Sequence, residues 1–209
     1  MVRFILLVEG DTEKVAIAEF LKRWLDPQLK QPVGVQVVNF HGNSQFIRKI
    51  VPKAQDYLDA PDAGEIVGVI GLLDLYGLDI YPAQLTTVEQ RHDWGVQHFQ
   101  EQVAREKFRM FFAVHEFEAW ILAQPDVLPR AVRDALPRTV TLPEKADFDE
   151  PPAKLLNRLY LSCTRRNYKK TTYGKQLFGK LVPEVVVAKC PYLKAMLAEM
   201  LAMAKAAGL

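Results

Sequence analysis

Residues 3–13 read RFILLVEGDTE. Phe4 to Val8 form an unbroken apolar run, the pattern of a buried strand. Glu9 and Gly10 interrupt it, and Asp11 and Thr12 follow with the short oxygen-bearing side chains that cap helices. Beyond them Ile17, Phe20, Leu21 and Trp24 fall at i, i+3, i+4 and i+7, one apolar stripe facing a sheet, until Pro27 ends the pattern. A buried strand running straight into an amphipathic helix opens an α/β unit. It leaves one question, which is why a carboxylate and a glycine stand at the lip of the first core strand.

The same alternation continues outward. VGVQVVNF (33–40) reads as a second strand, HGNS (41–44) as a turn with Ser44 as the cap, and residues 45–58, with Phe46, Ile47, Ile50 and Leu58, as a second helix. IVGVIGLLD (66–74) is apolar almost throughout, as expected of a strand covered on both faces. Strand, helix, strand, helix, strand predicts an α/β fold with a mostly parallel central sheet, right-handed crossovers and flanking helices. Residues 81–106 read as a loop followed by an amphipathic helix. RMFFAVHEFEAWIL (109–122) reads as a fourth core segment that turns helical near His115. Residues 137–152 carry four of the 13 prolines and form a loop, followed by a basic segment and a helix from about Leu193. The expected organisation is an α/β core over 1–136, with helical and loop elaborations over 137–209 packing on it. There is no internal repeat and no low-complexity tract.

At 209 residues, 49% hydrophobic and 25% charged, the chain is long enough for a full core. No apolar run approaches the roughly 20 residues of a membrane helix, and no small-residue cleavage site follows Arg3, so neither a membrane partner nor a signal peptide is expected. Cys163 and Cys190 stand far apart without a C-x-x-C pair and read as reduced thiols in a cytoplasmic protein. The net charge of +2 hides a division: residues 1–150 hold 16 Lys and Arg against 23 Asp and Glu, residues 151–209 hold 11 against 2. Segregation of this kind points to a basic surface that meets an anion, or to a basic tail that packs across an acidic body.

In an open α/β sheet ligands bind beyond the carboxyl ends of the strands. Glu9 ends the first strand, Asp74 the third, and Glu116 with Glu118 the fourth. Carboxylates gathered at one edge repel one another unless a cation neutralises them, and hard oxygen ligands suit Mg²⁺ or Mn²⁺. An acid at a strand end also serves elsewhere as a cap or an ion-pair partner. Gly10 then allows a sharp turn and the approach of a phosphate to the helix start. If residues 116–118 are extended, both glutamates point one way; in a helix they diverge. VEGDTE is neither a Walker loop nor G-x-G-x-x-G, and HEFEA lacks the second histidine of a zincin, with Ala119 in its place. From Tyr160 to Lys180 the chain reads YLSCTRRNYKKTTYGKQLFGK, with six basic residues, no acidic ones and three tyrosines. Arg165, Arg166, Lys169, Lys170 and Lys175 are the expected phosphate contacts, with tyrosine rings free to stack on bases.

These stretches resemble the TOPRIM fold of topoisomerases, primases and overcoming-lysogenization-defect-type nucleases, and more closely a TOPRIM-like bacterial family of unknown function. LLVEGDTE, LLDLYGL (72–78), HEFEAWILA (115–123), KKTTYGKQL (169–177) and AKCPYLKAML (188–197) carry the resemblance over nearly the whole chain. It implies that Glu9 is a metal ligand or an acid/base group. It also implies that Asp74 is the first member of an Asp-x-Asp pair holding Mg²⁺. Tyr76 stands at the second position, so that pair is broken, and Glu116, Glu118 or Asp79 would have to complete the shell. The implied function is metal-dependent phosphodiester hydrolysis, a TOPRIM-type nuclease. The alternative is a non-catalytic subunit that binds nucleic acid or a partner, working beside an ATPase in a phage-defence system. The expected partners are nucleic acid, such an ATPase, or a second copy of the chain.

Overall fold

Strand β1 (Arg3–Val8) is covered from both sides: Phe4, Leu6 and Val8 enter one core, Ile5 and Leu7 the other. That follows from the pleat, because successive side chains leave opposite faces and all five are apolar. The computed structural model describes residues 1–144 and 150–209, without the side chains of residues 11–15, 139, 141 and 171. β1 is flanked by β2 (Gly34–Asn39) and β3 (Ile66–Asp74), and β4 (Phe108–Ala113) closes the other edge. The strand order is β2-β1-β3-β4 and every pairing is parallel. The expected third strand is met at both of its ends, and the predicted α/β class holds.

Helix α1 (Asp11–Leu25) follows β1 after Glu9 and Gly10 alone and ends before Pro27. Gly10 is its N-cap, at φ −133° and ψ 176°, extended backbone that any residue adopts, so the turn does not require glycine. The capping expected of Asp11 or Thr12 lies outside the described residues. Helix α2 (Asn43–Leu58) starts earlier than predicted, and its N-cap is Gly42 instead of Ser44. Gly42 has φ 123°, which only glycine adopts without strain. Helix α3 (Val88–Val103) opens with a capping box in which Thr87 and Gln90 exchange side-chain-to-backbone bonds. A Cβ at Gly95 would lie 2.7 Å from the Phe112 ring, so the absence of a side chain there lets α3 seat on β4.

α2 and α3 cover one face of the sheet. The other face carries α1 and most of the chain beyond β4: α4 (Glu118–Ala123), α5 (Arg130–Asp134), α6 (Pro152–Thr164), α7 (Lys175–Lys180), α8 (Pro183–Val187) and α9 (Pro191–Ala206). At its centre Phe20, Phe117, Trp120 and Phe178 meet with centroid separations of 4.2–6.4 Å. Aromatic side chains bury roughly 150–250 Å² each, worth about 4–6 kcal/mol apiece before conformational entropy is subtracted.

One buried carboxylate anchors this layer. Glu144, 2% exposed, accepts from the Trp120 indole N–H (3.1 Å) and from the backbone N–H groups of Tyr192 (2.7 Å) and Leu193 (3.2 Å). It thereby caps the first turn of α9 from a distant part of the chain, satisfying donors that the helix itself leaves unpaired. Burial pushes its pKa above the ordinary carboxylate range, against the lowering effect of those three donors. Glu144→Gln keeps the shape but turns an N–H group toward one of the donors. We expect a loss of about 1–3 kcal/mol in urea unfolding, and an unchanged midpoint would refute the anchor.

Candidate functional site

The strand order places a topological switch point between β1 and β3. The chain leaves β1 for β2 on one side and returns to β3 on the other, which opens a crevice at the carboxyl ends of the central pair. Glu9 and Asp74 flank it. Val8 lies opposite Leu72, so Glu9 stands one step beyond the β1 ladder while Asp74 is the last residue of β3, opposite Ala113. Asp74 Oδ1 accepts from the Phe117 N–H at 3.2 Å, tying β3 to the entrance of α4.

Glu116 and Glu118 sit on the far side of Asp74. The fourth segment is a strand only to Ala113; His115 takes a left-handed φ of 69°, and the helix begins at Glu118. The two carboxylates are therefore related neither by strand nor by helix geometry, and both meet one cation. Lys170 Nζ is 3.1 Å from Glu118 Oε2 and 3.7 Å from Glu116 Oε1. The Glu118 contact is a close ion pair without the angles of a hydrogen bond. Glu116 Oε2 also accepts from the Ala153 N–H at the start of α6 (2.8 Å).

The electrostatics follow from burial. Glu118 is 1% exposed, and desolvation raises its pKa above 4.5 despite the attraction of Lys170, with Glu116 pushing the same way. Burial alone would lower the pKa of Lys170, but Glu118, Glu116 and Asp74 together outweigh it and hold the ammonium charged well beyond its usual range. The Tyr168 hydroxyl is buried close by without a hydrogen bond. Desolvation and then Glu118 keep it protonated.

The basic segment divides in two. Arg165, Arg166, Lys169 and Lys175 are exposed, whereas Lys170 turns inward from a single wide helical turn at Lys170–Gly174. The tyrosines do not face solvent as base-stacking platforms: Tyr160 and Tyr168 are 3% and 7% exposed, and with Tyr173 they form a ring cluster at 5.4–5.5 Å. Their spacing belongs to the core, where α6 and the following turn fold back on each other. Tyr76, at the broken acidic position, is 57% exposed and lines a shallow hollow of about 80 Å³ with Arg91 and His115.

Among the described residues no three His, Cys, Asp or Glu side chains are grouped to hold a metal ion. Lys170 already supplies positive charge to Glu116 and Glu118. Glu9 and Asp74 are hard oxygen donors at neighbouring strand ends, the type of ligand Mg²⁺ takes alongside waters and substrate phosphates. The larger hollows lie elsewhere. One of about 470 Å³ adjoins Ile66, Lys107 and Met203 at the amino end of the sheet, and another of similar size adjoins Trp24, Val187 and Lys194. No described helix is long and apolar enough to cross a membrane.

A family model described as Domain of unknown function (DUF4276) matches residues 8–201, so the chain belongs to that family. Among solved structures it is similar to the C-terminal region of the Xanthomonas campestris pv. campestris OLD protein. Identity there is 16%, with a TM-score of 0.49, covering 98% of this chain and 97% of that one. It is also similar to the C-terminal region of the Burkholderia pseudomallei OLD protein, at 16% identity and a TM-score of 0.48, covering 98% and 99%. No curated protein matches the chain.

Removing Lys170 leaves Glu118 buried beside Glu116 without the ammonium that offsets its charge. Lys170→Met should cost about 1–3 kcal/mol, less than the roughly 3–5 of a dry pair, because Lys170 is 42% exposed and water follows it. The raised pKa of Glu118 rises further in this variant. A carboxyl whose folded pKa lies above its unfolded value loses stability as pH climbs through the interval between the two. The deficit should accordingly be smallest in acid and grow as pH rises above 4.5, and adding Glu118→Gln should restore most of the loss. A deficit independent of pH would argue against the pairing.

Proposed function

We propose that this DUF4276 member acts on nucleic-acid phosphates at the switch-point crevice, as a Mg²⁺- or Mn²⁺-dependent nuclease. The observation that carries the reading is the inward turn of Lys170. Its pairing with Glu118 and Glu116 pins the segment bearing Arg165, Arg166 and Lys169 to the strand-end carboxylates. A cationic surface for a polyanion and an acidic edge for a cation are thus joined through a few residues of chain. The edge is also shallow where Tyr76 and His115 line it, as suits a polymer lying across a surface better than a small molecule in a pocket.

In this reading Glu9 and Asp74 hold the cation, which when bound polarises the phosphodiester and stabilises the leaving oxygen. Asp74 is oriented by the Phe117 N–H, so one of its oxygens is fixed before any ligand arrives. Glu116 and Glu118 complete the acidic edge, and Lys170 lowers their repulsion for an incoming phosphate. Gly10, Arg165, Arg166, Lys169 and Lys175 contact the nucleic-acid backbone. The second reading, a non-catalytic subunit that binds nucleic acid beside an ATPase, is favoured by one observation. The second acidic position of the pair begun by Asp74 holds the exposed Tyr76, and a phenol is a poorer ligand for a hard cation than a carboxylate.

Two measurements distinguish the readings. Calorimetric titration with Mn²⁺ should show binding that Glu9→Gln and Asp74→Asn each abolish, accompanied by loss of plasmid cleavage. Nucleic-acid affinity should fall steeply with salt, and replacing Arg165, Arg166 and Lys169 by Ser should reduce the slope of log K against log salt by about 2–3, close to one unit for each phosphate left without its cation. Binding without cleavage selects the subunit. If neither ion nor nucleic acid binds, both readings fall.

A further inference from the structure

We propose that Arg91 and Tyr76 form a nucleotide subsite on the same edge, the Arg91 guanidinium taking a phosphate and the Tyr76 ring stacking on the adjoining base. The proposal rests on the reading above and adds two residues that lie outside the basic segment. They come from different elements: Tyr76 stands two residues beyond Asp74 at the exit of β3, and Arg91 belongs to the first turn of α3. With Leu75, Val88 and His115 they line the hollow of about 80 Å³. His115 sets this hollow beside the acidic edge, because the next residue, Glu116, meets Lys170.

Arg91 is held at its near end and left open at its far end. Its Nε donates to the Leu85 carbonyl (2.9 Å), and its guanidinium lies 5.4 Å from the centroid of the Tyr81 ring. Tyr81 is itself tied to β3, its hydroxyl donating to the Leu75 carbonyl at 3.4 Å, and the Trp94 ring packs edge-on against it at 5.8 Å. These contacts fix the guanidinium, while its Nη groups, a planar fork of donors, bond to no described residue. Other arginines of the acidic half are neutralised: Arg3, Arg105, Arg109 and Arg133 each meet a carboxylate at 2.6–3.2 Å. Residues 1–150 hold 23 Asp and Glu. An arginine restrained at the ligand edge of the sheet, and facing none of the described carboxylates within ion-pair reach, is placed for an anion from outside.

Tyr76 identifies the anion. Among the described residues it is the one exposed aromatic side chain, at 57%. A solvated tyrosine alone is ordinary on a protein surface. Beside a restrained guanidinium with an open fork it supplies the second half of a nucleotide site, because a ring standing clear of the core can stack on any base. An inorganic anion would leave that ring without a use.

The test measures binding of the full chain, with Mg²⁺, to a fluorescent oligothymidylate and to an abasic oligonucleotide of the same length. Arg91→Gln should weaken both about tenfold and lower the slope of log K against log salt by about one unit, whereas Arg91→Lys, which keeps the charge, should keep the slope. Tyr76→Ala should weaken oligothymidylate about tenfold, leave the abasic strand and the salt slope unchanged, and be rescued by Tyr76→Trp. An unaltered slope in Arg91→Gln overturns the proposal. So does Tyr76→Ala binding oligothymidylate as tightly as the unmodified chain, or losing equally on the two strands. The reading of the edge survives those results if the unmodified chain still binds with the salt dependence that Arg165, Arg166 and Lys169 supply. Failure of the unmodified chain to bind either strand overturns both.

Discussion

A carboxylate buried almost completely, Glu118, begins a helix whose six residues are all buried, and the cation it meets is the ammonium of Lys170, well beyond it in the chain. An ionised group in such a place costs several kcal/mol unless it is paired. The pairing therefore dictates where the chain after α6 must go. Lys170 has to reach the carboxyl edge of the sheet, and the turn that delivers it folds Tyr160, Tyr168 and Tyr173 against one another and leaves Arg165, Arg166 and Lys169 outside. The division of charge along the sequence, acidic before residue 150 and basic after it, becomes at this point a contact in space. One lysine packs against the acidic body while its neighbours face solvent.

The parts of the fold legible in the sequence are those set by local pattern. β3 could be bounded at Ile66 and Asp74 because an almost uninterrupted apolar run ends there in a carboxylate. Glu9 and Asp74 were legible as edge residues for the same reason, each following an uninterrupted apolar run. The features that escaped notice depend on partners remote in sequence. Glu144 lies in a proline-rich stretch that reads as loop, and its role emerges only when Trp120 and the start of α9 arrive around it. Lys170 is indistinguishable from Lys169 until the turn places one inside and one outside. The tyrosines misled because interleaving with basic residues looks the same whether the rings face bases or each other; burial alone decides it.

The two halves of the edge are held by different contacts. Around Glu116 and Glu118 the protein supplies its own cation, and the Ala153 N–H at the start of α6 takes one more carboxylate oxygen. Around Glu9 and Asp74 the backbone of β2's exit loop and the entrance of α4 close in, through Gly42 and Phe117. Because Asp74 also contributes to the field that keeps Lys170 charged, the halves are not independent. In the proposed reading a divalent ion near Asp74 would oppose the ammonium electrostatically, and a phosphate arriving between them would relieve that opposition. In that reading such an edge would hold the ion more tightly with its polyanion than alone, since the phosphate carries the negative charge that both cations attract. Metal and nucleic acid should thus each raise the affinity for the other, a reciprocity required of any two ligands linked through one free energy.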